Sequence, residues 1–255
     1  TLTLRFFDLI NDGNIQQLRV LIDSLDADEL NILLRWTVDP VERDNTRSRS
    51  ALWSAFLRQH TEIVDLLVLE KGADPDEPVA DQNGDGATAL MYACYTGNVD
   101  IVRLLLTHGA NVEQMDFEGY FPLIDAAIGG SLEVCRLLVE EWAADVNQQT
   151  VQERYTPVIC AASKGHLAIV NFLVEHGADL QHVDVEGHNA LMWAVIKGKT
   201  EVARHLVAIG ADINQRNIEG KRAQDFAEES GNAEMVAIFR TTATDNGRHA
   251  AEGTE

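Results

Sequence analysis

One short segment of the sequence has the residue types and spacing of a metal site. Residues 81–86 read Asp-Gln-Asn-Gly-Asp-Gly, which matches the first half of a calcium-binding loop with side-chain oxygens at alternate positions. Such a loop ends with a bidentate glutamate at its twelfth position, but here that position is Tyr92, and the ninth position is Ala89. Asparagine and glycine at a hairpin tip supply backbone with positive φ. The segment therefore predicts a turn and no metal site.

The histidines and cysteines follow the spacing of a repeated structure rather than that of a catalytic centre. His108 and His176 both precede a glycine at the same repeat position, and His166 lies at a turn. The three cysteines are odd in number and have no CxxC spacing, which argues against a disulfide framework or a zinc site. The sequence contains no nucleophile elbow, phosphate-binding loop or paired-carboxylate motif. We therefore expect a protein that is not an enzyme and uses no cofactor.

The strongest pattern in the sequence is an internal repeat of 33 residues. Residues 154–186 and 187–219 align without gaps, and they share glycines at 165 and 198 and Gly-Ala-Asp triplets at 177–179 and 210–212. Each copy contains two short helical patterns and one turn. A fixed period of this length predicts a solenoid, in which neighbouring helix pairs stack and bury a continuous core.

The repeat resembles the ankyrin repeat over nearly the whole chain. The resemblance rests on Thr156-Pro157 at the start of the first helix, Gly165-His166 between the helices and Gly177-Ala178-Asp179 after the second helix. It implies an all-α repeat solenoid of about seven helix–turn–helix units with β-hairpin-like loops and polar capping repeats at both ends. We expect the ankyrin-repeat domain to cover residues 1–240, and a polar, disordered tail to cover 241–255.

The period is interrupted at three places. Residues 23–50 form an irregular insertion, in which 27–36 have the apolar spacing of a helix and a polar stretch with three arginines follows. The second unit, which ends at residues 70–74, is one residue longer than the 33-residue form. The unit 119–153 has two extra residues, near 141–144 and within 148–153. The last unit, 220–240, lacks the consensus and is more polar, which suits a capping repeat with an uncovered outer face.

The residues that the repeat does not dictate form the candidate binding site. In an ankyrin-like unit, the hairpin tips and one side of the inner helix line a concave groove. By register, the partner-binding candidates are Asp85, Tyr92, Tyr95, Phe117, Glu118, Tyr120, Asp125, Ile128, Glu153, Tyr155, Glu186, His188, Trp193, Ile196 and Lys197. Aromatic side chains would then lie between carboxylates, which suits a peptide that carries arginine or lysine. As an alternative, Trp193 and Tyr92 pack partly between neighbouring inner helices as the edge of the core.

The composition limits the class of partner and the compartment. The formal net charge of −21 disfavours nucleic acid as a partner, because binding to its backbone needs a basic surface. The sequence has no apolar run of about 18 residues and no secretory signal at its start. Together with the cysteine pattern, this favours a reducing compartment, the cytoplasm or the nucleus. We expect a monomeric module that binds a protein or peptide partner, with no membrane partner, within a larger protein.

Alternative functions stay open at this point. The layout resembles the Fem-type substrate receptors of cullin ubiquitin ligases in its atypical first unit, its irregular connection before the third unit and the runs 173–176 and 187–188. That resemblance implies capture of C-terminal degron peptides, although no cullin-docking helix is recognisable. The chain could instead be the targeting domain of a larger enzyme or of a host-directed effector. Nucleic-acid binding would rest on the arginines of residues 43–49 alone.

Overall fold

The computed structural model describes residues 2–35, 51–78 and 86–240 of the chain. Within these ranges the chain forms fifteen helices and no β-strand. It divides into two compact units, Thr1–Asp125 and Ala126–Glu255. The expected calcium-like turn with Asp85, the arginine-containing part of the insertion and the expected tail lie outside the described residues.

In the first unit, an inner helix is followed by an outer helix in each repeat. The helices are α1 (Leu2–Asn11), α2 (Ile15–Asp23), α3 (Ala27–Arg35), α4 (Ala51–Leu57), α5 (Thr61–Asp65), α6 (Ala89–Thr96), α7 (Val99–Thr107) and the start of α8 (Pro122–Gly129). The additional helix α3 lies where the insertion predicts one. It packs against α4, and its Leu33 and Leu34 are buried in one core with Phe6 and Ile10 of α1.

The second unit continues the same alternation. Its helices are the end of α8, α9 (Leu132–Arg136), α10 (Pro157–Lys164), α11 (Leu167–Glu175), α12 (Ala190–Ile196), α13 (Thr200–Ala208), α14 (Ala223–Ser230) and α15 (233–240). The inner helices α10, α12 and α14 pack side by side, and so do the outer helices α9, α11 and α13. With α3 set aside, the described helices form seven pairs, as the repeat predicts.

The composition of the helices explains this packing. Ala161, Ala162 and Ala194 on the inner helices are fully buried, and small side chains allow neighbouring inner helices to approach closely. The outer helices contribute large apolar side chains such as Leu173 and Leu206, which fill the space between the layers. Burial of these side chains stabilises each helix pair only when the next pair covers it, so the repeats must stack.

Two outer helices contain a π-helical turn where the sequence has an extra residue. These turns, Leu66–Glu70 and Leu137–Glu141, directly follow α5 and α9. The amide that closes the second of these helices, Ala144 N, donates to Leu138 O six residues earlier, whereas Ala178 N in the next repeat donates to Leu173 O five residues earlier. A single inserted residue is accommodated in this way by widening one helical turn.

The other extra residue of the 119–153 unit lengthens its hairpin tip. Thr150 N donates to Tyr155 O across five residues, whereas the corresponding bond in the next repeat, from Asp184 N to His188 O, spans four. The tip is therefore one residue longer than its neighbour, as expected from the spacing within 148–153. These backbone bonds close each tip as a hairpin-like loop.

In the repeats of α5, α7, α9, α11 and α13, a residue just after the outer helix adopts a left-handed backbone conformation, which allows the chain to turn into its loop. The outer helix α2 differs, because it ends at Ser24 with a right-handed backbone. Glycine occupies this position in most repeats, for example Gly177 with φ of 90° and Gly210 with φ of 94°. In the repeat with the second π-helical turn, Ala143 takes the position with φ of 55°. An L side chain in this region is strained, so this loop carries a local cost that its neighbours do not.

Candidate functional site

Each hairpin tip is held together by one polar side chain. Oδ1 of Asp184 accepts hydrogen bonds from the backbone nitrogens of Glu186 at 2.9 Å and His188 at 2.8 Å. Asn217 in the next repeat, and Asp116 in the first unit, each accept the corresponding pair of bonds in their own tips. These residues fix the tip backbone locally, so that the side chains next to them have defined positions.

In the second unit, successive tips are also joined to one another. Val185 N donates to Glu153 O at 3.1 Å, and Ile218 N donates to Glu186 O at 2.9 Å. Each tip thus carries a glutamate beside the next tip, and the side chain of Glu186 is 62% exposed. This arrangement produces a row of carboxylates along the tips of the second unit.

Four ring side chains come together behind these tips, and we call them, with Asp184, the Trp193 cluster. Tyr155 and His188 meet Trp193 at ring-centroid distances of 5.7 and 5.5 Å, and Phe226 meets His188 at 5.7 Å. The Tyr155 and Trp193 rings are nearly perpendicular, an edge-to-face geometry that is favourable for aromatic pairs. Trp193 is placed here by α12 and is half-buried.

Asp184 connects the tip to the aromatic rings. Its second oxygen, Oδ2, accepts a hydrogen bond from Nε1 of Trp193 at 2.8 Å, and its side chain is only 1% exposed. The carboxylate therefore has three donors, two from the tip backbone and one from the indole. Charge-assisted bonds of this kind compensate for removing a carboxylate from water, and they fix the orientation of the indole ring.

His188 lies in the layer behind Trp193, and its side chain is 7% exposed. Its Nε2 is 3.0 Å from Nδ2 of Asn217, whose own Oδ1 is occupied by tip amides. The amide nitrogen is therefore the donor, which assigns the proton of the neutral imidazole to Nδ1. That nitrogen has no hydrogen-bond partner among the described residues, but it lies 3.4 Å from Glu186 Oε2 and 3.6 Å from Asp184 Oδ2.

The electrostatic potential around the cluster is negative. The pKa of Tyr155 is raised from its ordinary value, first by partial burial and then by the charges of Asp184, Glu153 and Glu186. A phenol near three carboxylates resists ionisation because the phenolate would add a fourth negative charge. The same field attracts cations to the exposed side of the rings.

Two lysine ammonium groups already lie on these rings. Lys197 Nζ is 5.3 Å from the centroid of Trp193, and Lys221 Nζ is 5.4 Å from the centroid of Phe226. Lys221 also forms an ion pair with Glu229 at 2.8 Å. Both distances are within the range of cation–π attraction. The cluster therefore combines aromatic faces, carboxylates and positions that hold a positive charge.

The candidates of the first unit have different surroundings. Tyr92 is 41% exposed, and its ring meets Phe56 edge-on at 6.1 Å, so it is both a surface residue and an edge of the core. Phe117 is 73% exposed, yet its ring covers the backbone of Gly86, where a Cβ would lie 2.8 Å from it. Tyr95 and Glu118 are exposed, and Tyr120 and Asp125 are half-buried.

The structure brings together part of the predicted set. Tyr155, His188, Trp193 and Lys197 form one contiguous group in the second unit. Ile196 is exposed next to this group, and Ile128 is half-buried and lies at the end of α8. His188 is buried, so it supports Trp193 and does not offer a contact surface.

The sequence interpretation missed Asp184 and Asn217, which build the site from behind. Their signal was available, because an Asp or Asn occurs at the same tip position as residues 116, 184 and 217. Because the position recurs in each repeat, the sequence predicted only a residue that stabilises the turn. Its second role, toward Trp193 or His188, depends on contacts that only the folded chain provides.

Two further histidines, His108 and His176, have structural contacts of the same kind in their repeats. His108 Nε2 lies 3.1 Å from Asp65, and His176 Nε2 lies 3.6 Å from Glu140, in each case an acid of the preceding outer helix. Across residues 2–35, 51–78 and 86–240, no group of three or more acidic, histidine or cysteine residues could hold a metal ion. Over the same ranges, no helix combines the length and the apolar character needed to cross a bilayer.

Paired helices, left-handed loops and tied hairpin tips define an ankyrin-type repeat protein. Comparison with protein families agrees, because the ankyrin-repeat model (3 copies) matches residues 77–150 and 148–217. These matches cover more than half of the chain. The chain belongs to the ankyrin-repeat family, whose repeats are general protein–protein interaction modules.

Several curated proteins are similar to parts of the chain. Human ankyrin repeat and KH domain-containing protein 1 is 43% identical over 99 residues, 38% of this chain and 4% of that protein. Ankyrin repeat protein nuc-2 of Neurospora crassa is 34% identical over 158 residues, 62% of this chain and 14% of that protein. Mouse protein fem-1 homolog A-like is 36% identical over 93 residues, 36% of this chain and 14% of that protein. The chain thus corresponds to a small fraction of the length of these relatives.

Proposed function

We propose that the chain is a non-enzymatic recognition module that binds a protein or peptide segment with basic residues. The observation that carries this proposal is the Trp193 cluster, in which aromatic faces lie beside Glu153 and Glu186 and already hold a lysine ammonium group. Half-buried aromatic side chains in a fixed orientation are the residues that most often dominate the energy of protein interfaces. Carboxylates around them favour partners that carry arginine or lysine.

In the first unit, exposed Tyr92, Tyr95 and Phe117 are the corresponding candidates for contact with a partner. Glu118 and Asp125 would set the same charge preference there. We further propose that the chain acts as a monomer in the cytoplasm or the nucleus and takes neither nucleic acid nor membranes as partners. The net charge of −21 supports the exclusion of nucleic acid, because it repels polyanions.

The test is a binding screen of the purified chain against two peptide libraries, one with free C-termini and one with internal segments. We expect enrichment of peptides that contain arginine or lysine. For a selected peptide, Trp193→Ala should weaken binding by about 1–4 kcal/mol if Trp193 is a central anchor. Glu186→Lys should also weaken it, and this exposed position leaves the fold intact.

Matched controls separate loss of binding from loss of structure. Trp142→Ala makes the same chemical change just after the π-helical turn that follows α9, outside the cluster, and it should leave the affinity unchanged. Circular dichroism and thermal unfolding verify that each variant is folded. Unchanged affinity in a folded Trp193→Ala variant would remove this residue from the site, and absence of enrichment in both libraries would contradict peptide binding.

The two libraries also test a second candidate function, a receptor for C-terminal peptides in a ubiquitin ligase. It is supported by the similarity to fem-1 homolog A-like over 93 residues and by Lys197, a cation that could pair with a terminal carboxylate. Enrichment that depends on the free carboxylate would favour this candidate. Equal enrichment of internal segments would favour general recognition of basic segments.

A further inference from the structure

Lys197 has an unusual position for a lysine in an acidic protein. The chain has 41 aspartates and glutamates against 20 lysines and arginines. Nevertheless, the contact made by Lys197 is with the ring of Trp193, at 5.3 Å from Nζ to the centroid, and among the described residues it forms no ion pair. The side chain lies one helical turn after Trp193, at the exposed end of α12, where it could also extend into solvent.

The environment of the ring explains why a cation rests there. The indole nitrogen donates to Asp184, a buried carboxylate that increases the electron density of the ring. His188 does not neutralise this carboxylate through Nε2, which accepts from Asn217, and its Nδ1 forms no hydrogen bond with it. Glu186 adds a further negative charge at 3.4 Å from that nitrogen. Among the described residues, Lys197 supplies the cation on the Trp193 face.

We propose that the exposed face of Trp193 binds one cationic side chain of the partner, and that Lys197 occupies this face in the free protein and is displaced on binding. The inference rests on the proposed function and specifies the chemistry of one position in it. Lys197 is then an internal competitor, which lowers the affinity for any basic partner.

Competition of this kind selects arginine over lysine. A partner lysine replaces one ammonium group by another, so the cation–π attraction gained is nearly equal to the attraction lost. A guanidinium group stacks on the ring through its plane and has further donors that can reach Glu186. Arginine therefore gains more from the exchange than lysine does. The site fits one arginine in an extended segment.

The experiment uses fluorescence anisotropy with the full chain at low salt. The probe is fluorescein-labelled Arg-Gly-Ser-Arg-Gly-Ser-Arg-Gly-Ser, with its lysine counterpart and its citrulline counterpart, which is uncharged. For wild type we expect tighter binding of the arginine probe than of the lysine probe, and the weakest binding of the citrulline probe. Lys197→Met should tighten binding of the arginine probe about two- to fivefold, the range that corresponds to one exposed cation–π contact.

Two variants control for charge alone. Lys164→Met removes the same charge at the equivalent position one repeat earlier, where the residue one turn before is Cys160 and no ring is available. It should tighten binding by clearly less than Lys197→Met. Lys197→Arg keeps a cation on the ring and should not tighten binding.

The outcomes distinguish the inference from the proposed function. Equal effects of Lys197→Met and Lys164→Met, or weaker binding with Lys197→Met, would overturn the displacement while basic-peptide recognition stands. Equal binding of the arginine and citrulline probes by wild type, or no binding of any probe to any variant, would overturn the proposed function and the inference with it.

Discussion

Replacement of Asp184 by asparagine changes one atom at the centre of the site and should destabilise the second unit by about 2 kcal/mol. Asparagine keeps the oxygen that accepts the two tip amides. Asn217 shows that this residue type can do so, because its Oδ1 accepts from Glu219 N at 3.1 Å and from Lys221 N at 2.9 Å. The change therefore acts mainly at Oδ2, which asparagine replaces by an NH₂ group that faces the indole N–H of Trp193.

The size of the expected loss of stability follows from the contacts of Asp184 Oδ2. The bond from Trp193 Nε1 to Asp184 Oδ2 is 2.8 Å long and has a charged acceptor, and such bonds contribute about 1.5–3 kcal/mol. After the substitution, two donors face each other and the half-buried indole N–H loses its partner. Relief of the desolvation of a buried carboxylate offsets a part of this loss.

A double-mutant cycle isolates the bond. Urea unfolding followed by circular dichroism gives the free energy of unfolding for wild type, Asp184→Asn, Trp193→Phe and the double variant. Phenylalanine has no donor, so in its background Asp184→Asn should cost about 1–2 kcal/mol less than in wild type. As a control, Asp212→Asn makes the same change in a loop where one oxygen accepts a single amide at 2.8 Å, and it should change stability by about 0.5 kcal/mol or less. If the two substitutions at 184 and 193 are additive within about 0.5 kcal/mol, the assigned role of Asp184 is wrong.

Two other predictions concern the backbone and a buried thiol. Ala143→Gly should stabilise the chain by about 0.5–1 kcal/mol, because φ of 55° strains an alanine. Gly177→Ala should destabilise it by about 1 kcal/mol at the equivalent position, where a methyl group meets no atom within 4 Å and the cost comes from the backbone alone. Unfolding in urea tests both variants, and a loss of stability in Ala143→Gly would contradict the strain. Burial raises the pKa of Cys135 from its ordinary value of 9.0 to about 12, so the stability that comes from the neutral thiol is complete below pH 9 and is lost as the pH rises toward 12. Between pH 7 and pH 10 this group should remove about 1 kcal/mol from the free energy of unfolding, and the same pH change should cost Cys135→Ala less by that amount. Equal losses in the two proteins would show that the thiol does not titrate differently in the two states.

The period alone predicted most of the fold, because a repeat that cannot bury its apolar face alone has few arrangements other than stacking. The same spacing located the extra residues at 141–144 and within 148–153, and the structure has its π-helical turn and its longer tip at these places. The sequence did not show how each extra residue is accommodated. A count of residues shows that a repeat contains one more residue than its neighbours, but the choice between a wider helical turn and a longer loop depends on the packing of the outer helix against its neighbours.

The candidate site was predictable to a lesser degree. Register placed Trp193 and Lys197 near one another, because positions one turn apart lie on the same side of an inner helix. It placed Tyr155 at a hairpin tip on the same surface, and in the structure its ring meets Trp193. Register could not show that His188 is buried, since the equivalent tip positions one repeat before and after it, Tyr155 and Lys221, are half-buried. For Tyr92 the sequence left two interpretations open, a groove residue or an edge of the core. The structure shows features of both, because Tyr92 is 41% exposed and its ring meets Phe56 edge-on.

Asp184 shows why such a site is hard to find in a repeat sequence. In three of the tips, one side-chain atom at this repeat position has the same function, because Oδ1 of Asp116, Asp184 or Asn217 accepts backbone amides of its own tip. The other atom is free to differ: in Asp184 it holds the indole of Trp193, and in Asn217 it donates to the imidazole of His188. An exchange of oxygen for nitrogen at this atom thus leaves the fold of the tip unchanged and reverses the hydrogen-bonding character that the tip presents to the rings packed against it. Repeats that are identical in architecture can orient different side chains in this way. The choice between Asp and Asn at position 184 therefore affects the Trp193 cluster as much as the tip.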